Sequence, residues 1–163
     1  MTNIKVPNKK SKEVLEFATI AKEAAAMMRL LQTYVSPKGK GPDQHFALHH
    51  SQFSTNPYNF FVINNWVVGA PANQVTVIVN PKIVEKDSSS RKRVREGCMS
   101  FPFRNGILVN RYDKIKVQFQ VPSEDGKKLL DKEEEMTGVM AQIFQHEIQH
   151  GHGNHIYLGT KSH

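Results

Sequence analysis

Gln145-His146-Glu147-Ile148-Gln149-His150 is the stretch on which the reading of this chain turns. Positions four apart on an α-helix lie one turn apart on the same face, so His146 and His150 can grip one metal ion, with Glu147 beside them. The residues upstream support a helix. Met136, Val139, Met140, Ile143 and Phe144 recur at spacings of three and four, and the hydrophilic Asp131-Lys132-Glu133-Glu134-Glu135 bounds them. Two imidazoles leave a metal short of a protein ligand, and that ligand has to come from elsewhere. A pattern with only three fixed positions also arises by chance on solvated faces, so the motif needs a second, independent signal.

The only cysteine supplies it. Cys98 lies in Glu96-Gly97-Cys98-Met99-Ser100. A lone cysteine is usually a small buried hydrophobe, but this segment combined with Gln-His-Glu-x-x-His is far rarer than either part. On these two motifs the chain resembles the peptide deformylases, hydrolases that remove the formyl group from the N-terminal formyl-methionine of new proteins. In that family the segments run Glu-Gly-Cys-Leu-Ser and Gln-His-Glu-x-Asp-His. The resemblance implies that Cys98, His146 and His150 bind one divalent metal ion and that Glu147 is the acid/base. It implies Fe2+ as the native ion, with Zn2+, Ni2+ or Co2+ as substitutes. Three protein ligands leave a position open for water, as in catalytic sites.

The same resemblance exposes a divergent first motif. Deformylases have Gly-x-Gly-Leu-Ala-Ala-x-Gln where this chain has His45-Phe46-Ala47-Leu48-His49-His50-Ser51-Gln52, so only Leu48 and Gln52 match as written. By resemblance Gln52 donates a hydrogen bond to the carbonyl oxygen under attack, and the N–H of Met99 is the second donor. His49 and His50 are too large to replace alanines in a tight core unnoticed. Either the packing around them has changed or the segment is exposed. The substrate methionine is expected against Phe46, Val139 and Ile143, with Gln142 facing in and Ala47 and Leu48 beside the extended peptide; Val139 and Ile143 read equally well as plain helix core. Glu96 is expected to pair with a downstream arginine, either Arg104 or Arg111. Gln149 stands where the family has Asp, a change beside the ligands that bears on their orientation.

The tail offers other residues for the third ligand. One metalloprotease class continues x-x-Gly-x-x-His after the second His. Gly153 falls on the Gly position, but Ile156 occupies the His position, with His155 one residue early, and no acidic residue follows Glu147. His152 and His155 read as surface or packing residues. The remaining tail is too short for the extra C-terminal helix of many bacterial deformylases and resembles the abbreviated forms, phage-encoded ones among them. Three classes of function follow: a deformylase, a hydrolase of the same scaffold with altered acyl-peptide specificity, or, less favoured, a metallopeptidase or a non-catalytic basic module.

The chain has 163 residues and a formal charge of +7. That length suits a single domain with a substantial core, with residues 1–10 expected to be flexible. No apolar run is long enough to span a membrane and the first residues lack the apolar stretch of a signal peptide. One cysteine excludes an internal disulfide and fits a reducing, cytoplasmic setting. The expected partners are N-formylmethionyl peptides, and the expected state is a monomer. The basic charge suits encounter with ribosomal RNA or another polyanion, but a merely solvated basic surface is the preferred reading, since no nucleic-acid-binding motif and no aromatic-interleaved basic patch is present.

Along the chain, residues 11–35 read as an amphipathic helix with Ser11 as N-cap and Val14, Phe17, Ala21, Ala24, Met28, Leu31 and Val35 in one stripe. Residues 36–42 form a loop. Asn59–Asn64 and Gln74–Asn80 read as strands, Asp87–Arg93 as a polar loop, and Val94–Ser100 as the strand that delivers Cys98. Lys114–Val121 alternates as a half-buried strand, turned by Glu124-Asp125-Gly126. The sum is an α+β fold: antiparallel sheets around a central metal-binding helix, with an N-terminal helix.

Overall fold

Phe60, Phe61, Val62, Ile63 and Asn64 are all buried, and this continuous burial sets the layering of the molecule. A strand directs successive side chains to opposite faces, so a strand buried throughout must be covered on both sides. Here Phe60 and Val62 enter one apolar cluster with Val14, Ile20, Ala24, Met27 and Leu31. Phe61 and Ile63 enter another with Ile115, Val117, Phe119, Ile143, Phe144 and Ile148. Two cores therefore lie on opposite faces of one sheet, each closed by a helix.

The computed structural model describes residues 4–34, 47–64, 74–98, 100–101 and 105–157. Its helices are α1 (Ala21–Tyr34) and α2 (Gly138–Gly151), and its strands are β1 (Ala47–His49), β2 (Phe60–Asn64), β3 (Val75–Lys86), β4 (Arg91–Glu96), β5 (Ile107–Tyr112), β6 (Lys114–Pro122) and β7 (Leu129–Thr137). A five-stranded sheet runs β1-β2-β3-β6-β7, and β4 with β5 forms a separate two-stranded ribbon. Every strand pairing is antiparallel. The α+β architecture is the one expected, with α2 packed on one face of the sheet and α1 on the other.

Several boundaries differ from the sequence reading. The helix expected over 11–35 begins only at Ala21, after a single 3-10 turn at Phe17–Thr19. Upstream, the backbone of Lys12 bonds with Pro57 and Asn59, and Val14 gives its N–H to Asn80 Oδ1 and receives Asn80 Nδ2. These tertiary partners take the groups a helix would use, so the segment stays extended. Ser11 caps nothing; its N–H and Oγ both donate to the carbonyl of Gly151. Val35 and the 36–42 loop lie outside the described residues.

The acidic run Asp131–Glu135 is not a helix lead-in but part of β7, which pairs with β6 along its full length. Gln118 and Gln120 donate across the ladder to Glu133 and Asp131, so polar pairs hold this sheet edge. Met136 accordingly belongs to the strand, and Gly138, at φ +60°, turns strand into helix. β3 runs on past Asn80 to Lys86. Asn80 adopts φ +50° at a shift in register, the irregularity that admits Pro81 into the strand. Part of the expected polar loop is strand too, since Arg91–Arg93 pair with Asn110–Tyr112, and β4 ends at Glu96, two residues before Cys98.

Candidate metal centre

α2 presents Gln145, Glu147, Ile148, Gln149 and His150 as buried positions, so polar side chains occupy a face that packing alone would fill with hydrophobes. Cys98, just beyond β4, meets this face: its Sγ lies 3.5 Å from His150 Nε2. Ligand atoms of Cys98, His146 and His150 all lie within 4.8 Å of one another. The outer nitrogen of each ring is committed. His150 Nδ1 donates to the carbonyl of Asn154 at 2.9 Å, and His146 Nδ1 bonds Glu96 Oε1 at 2.8 Å. With Nδ1 so engaged, Nε2 is the nitrogen each ring has for a metal.

Glu96 is fixed in turn. Arg111 clamps it with two hydrogen bonds, Nε to Oε2 at 2.7 Å and Nη2 to Oε1 at 2.8 Å, and Nη2 also donates to Gln149 Oε1 at 2.6 Å. Of the two candidate arginines Arg111 is the partner; Arg104 lies outside the described residues. Gln145 ties the helix to the ribbon by a reciprocal pair: Tyr112 N–H to its Oε1, and its Nε2 to Tyr112 O. The roles of Gln145 and Asn154 were not read from the sequence. A buried glutamine on an otherwise apolar helix face was a usable signal for the first, and nothing in the sequence signals a backbone carbonyl.

The electrostatics favour a cation. Burial would lower the His146 imidazole, yet hydrogen bonding to Cys98 and Glu96, with Glu147 nearby, raises it to about 10. Burial opposes ionisation of Glu96, but His146 and Arg111 hold its carboxyl down at about 2. Burial pushes Glu147 up to about 7, while burial and the neighbouring His146 push His150 well down. Two carboxylates and a sulfur thus attract positive charge to the space between the rings. Glu147 Oε2 is buried and has no hydrogen-bond partner among the described residues. One sulfur, two imidazoles and an adjacent acceptor form a donor set suited to a divalent transition metal with a water beside it.

The family model described as polypeptide deformylase matches residues 5–161. The chain belongs to the polypeptide deformylase family. Among curated relatives, peptide deformylase 2 of Shewanella oneidensis is 30% identical over 150 residues, covering 86% of this chain and 71% of that protein. Peptide deformylase of Thermotoga maritima is 36% identical over 81 residues, half of this chain, and the match spans 45% of that relative's length. Among solved structures, peptide deformylase from Thermotoga maritima superposes with a TM-score of 0.75 at 27% identity, covering 99% of this chain and 98% of that one. Peptide deformylase from Thermus thermophilus gives 0.72 at 27% identity, with 95% and 83% covered. Deformylases are metal-dependent enzymes, in keeping with the cluster.

The divergent deformylase motif is repacked, not exposed. Leu48, His49, His50, Ser51 and Gln52 are all buried. His49 Nδ1 accepts the N–H of Ser51, and its Nε2 bonds Asn59 Oδ1. His50 Nδ1 accepts the N–H of Tyr58, and its Nε2 meets Glu23 of α1. Gln52 is held at both ends, Oε1 by the N–H of His49 at 2.9 Å and Nε2 by Ser100 Oγ at 3.0 Å. The expected substrate contacts separate. The side chain of Leu48 lies in the α1 core and that of Ile143 in the α2 core, so both are packing groups. Val139 is half exposed, Gln142 partly buried, and Ala47 packs at the edge of the α2 core. Phe46 and Met99 lie outside the described residues. A cavity of about 550 Å³ opens behind α2, and none of Cys98, His146, Glu147 or His150 lines it.

Proposed function

We propose that this chain is a peptide deformylase that hydrolyses the N-formyl group of formyl-methionine on new polypeptides and releases formate. The observation that carries the reading is the meeting of Cys98, His146 and His150 within 4.8 Å beside the buried carboxylate of Glu147. Those three residues would hold the ion, Fe2+ as the native one. When bound, the cation supplies Lewis acidity that brings a water's pKa toward ~7. Glu147, raised to about 7 by burial, takes the proton of the attacking water and delivers it to the departing amine. Gln52 spends one amide hydrogen on Ser100 and keeps the other for the oxygen on which charge grows. The N–H of Met99 is the second donor. Glu96, clamped by Arg111, fixes the ring of His146, and Gln149 completes that clamp in place of the family Asp.

Phe46, Ala47, Val139 and Gln142 are the proposed walls of the methionine pocket, with the backbones of Leu48 and Ile143 behind them. A second reading, a hydrolase with narrower or altered acyl-peptide specificity, draws on His49 and His50 in place of the family alanine pair. The setting proposed is the cytoplasm, where a chain of charge +7 meets ribosomal RNA during synthesis. The test is release of formate from formyl-Met-Ala-Ser by the ferrous or nickel protein. Turnover that Glu147→Ala abolishes with metal retained supports the reading; no turnover at micromolar enzyme refutes it. X-ray absorption at the metal edge examines the ligand set separately, and absence of a sulfur neighbour removes Cys98 from it.

A further inference from the structure

The cavity behind α2 has no acidic lining. Its rim carries Lys10, Lys82 and Lys86, and its floor includes Gln145, Gln149 and Arg111. Gln149, where other deformylases carry Asp, removes the one carboxylate that the family pattern would have placed there. The rim lysines continue into a second basic element. On the β4–β5 ribbon, Arg91, Arg93 and Arg95 are exposed and share one face, because alternate residues of a strand point the same way, about 6.6 Å apart. Arg91 pairs across the ladder with Tyr112, and Lys86 Nζ sits 5.4 Å above the Tyr112 ring. The arginine face and the cavity rim therefore meet through Lys86 at Tyr112, while Arg111 lines the cavity from the other face of the ribbon.

Most neighbouring carboxylates are engaged elsewhere. Glu85 pairs with Lys116, Asp113 with Lys92 and Glu96 with Arg111, while Asp87, which accepts from the neutral Ser89, keeps its charge between Lys86 and Arg91. None of Lys10, Lys82, Lys86, Arg91, Arg93 or Arg95 pairs with a carboxylate among the described residues. The acidic residues concentrate instead on β7, at one edge of the sheet.

We propose that this basic surface is a binding site for single-stranded nucleic acid, held through its phosphates. A row of separate cations fits a repeating polyanion better than one small anion. A path that dips into a cavity suits a flexible strand and excludes a stiff duplex. Tyr112 packs against the core beside α2 and carries Lys86 over its ring, so it fixes the junction between the two cationic stretches. The inference rests on charge and shape alone, and stands or falls independently of the deformylase reading.

The test is fluorescence anisotropy of a labelled oligouridine with the full-length, metal-loaded protein, titrated against salt. Engagement of roughly four to six phosphates predicts a log–log salt slope of about −3 to −4, a loss of roughly 50- to 300-fold in affinity between about 50 and 200 mM. The paired substitutions K82Q/K86Q and R91Q/R93Q each lower that slope by about 1.4, at about 0.7 per lost contact. Both leave formyl-peptide turnover and melting temperature unchanged, which separates loss of binding from loss of fold. Comparable binding of RNA and DNA oligomers supports readout of phosphate alone, and tighter RNA binding supports readout that includes the 2′-hydroxyl. No binding at low salt, equal binding of polyglutamate, full competition by ATP at equimolar concentration, or variants with unaltered slopes would each overturn the proposal.

Discussion

His49 occupies a place where an alanine would leave the surrounding hydrogen bonds unmade. Its side chain holds Ser51 and Asn59, and its backbone N–H orients the Gln52 amide. Burial drops its pKa to about 3. The unfolded chain, with an ordinary value near ~6.5, therefore binds a proton that the folded chain refuses between those limits. Stability contributed by neutral His49 is full above about pH 6.5 and falls as pH drops toward 3, by up to about 1.4 kcal/mol per pH unit. Urea midpoints measured across pH 4 to 7 should show this decline, and His49→Gln should flatten it. Glu147→Gln should lower kcat by about 10²–10⁴-fold with metal content unchanged, read by formate release and elemental analysis. Arg111→Gln strips the buried Glu96 of its clamp. The expected cost is roughly 3–5 kcal/mol of stability and about 10–100-fold in metal affinity. Arg111→Lys should recover charge but not the two-pronged geometry.

At the scale of elements, the junction of β7 with α2 turns on Gly138. Its φ is +60° and a Cβ there would meet nothing within 4 Å, so Gly138→Ala carries only the backbone cost of a left-handed residue, about 1–2 kcal/mol. Gly153 is the contrast. It has φ +82° and would set a Cβ 2.8 Å from the backbone of Lys9, so Gly153→Ala adds a clash to the same strain and should displace the N-terminal arm. Chemical denaturation of the two variants side by side checks the order, Gly153→Ala being the less stable. The arm matters because Ser11 fastens to Gly151 at the end of α2, and Lys5 exchanges hydrogen bonds with Gln52 and Ser100. Residues remote in sequence thereby brace the C-terminal end of α2 and the Gln52–Ser100 contact.

For the whole molecule, the sheet carries a core on each face, with acidic residues on its β7 edge. The cluster at its centre couples metal to folding, since a cation that binds only the folded chain stabilises it by mass action, about 2.7 kcal/mol at a hundred times its dissociation constant. A chelator should lower the melting temperature, and added Ni2+ or Zn2+ should restore it. The same treatment of Cys98→Ser should show a smaller shift, because a hydroxyl oxygen would stand in place of the proposed sulfur ligand. No described helix is long and apolar enough to cross a membrane.

Helix α2 was legible because its information is local. Four-residue spacing places His146 and His150 on one turn wherever the helix sits, and alternation along Lys114–Val121 marks a half-buried strand in any context. The run Asp131–Glu135 and the segment before Ala21 were misread for the opposite reason. Their conformation is set by partners far along the chain, the β6 ladder in one case and Asn59 and Asn80 in the other. The choice of Arg111 over Arg104, the burial of His49 and His50, and the joining of the arginine ribbon to the lysine-rimmed cavity were likewise decided only by folding. Sequence spacing fixes which side chains share a face of one element; which faces meet depends on long-range hydrogen bonds and packing that no local pattern encodes.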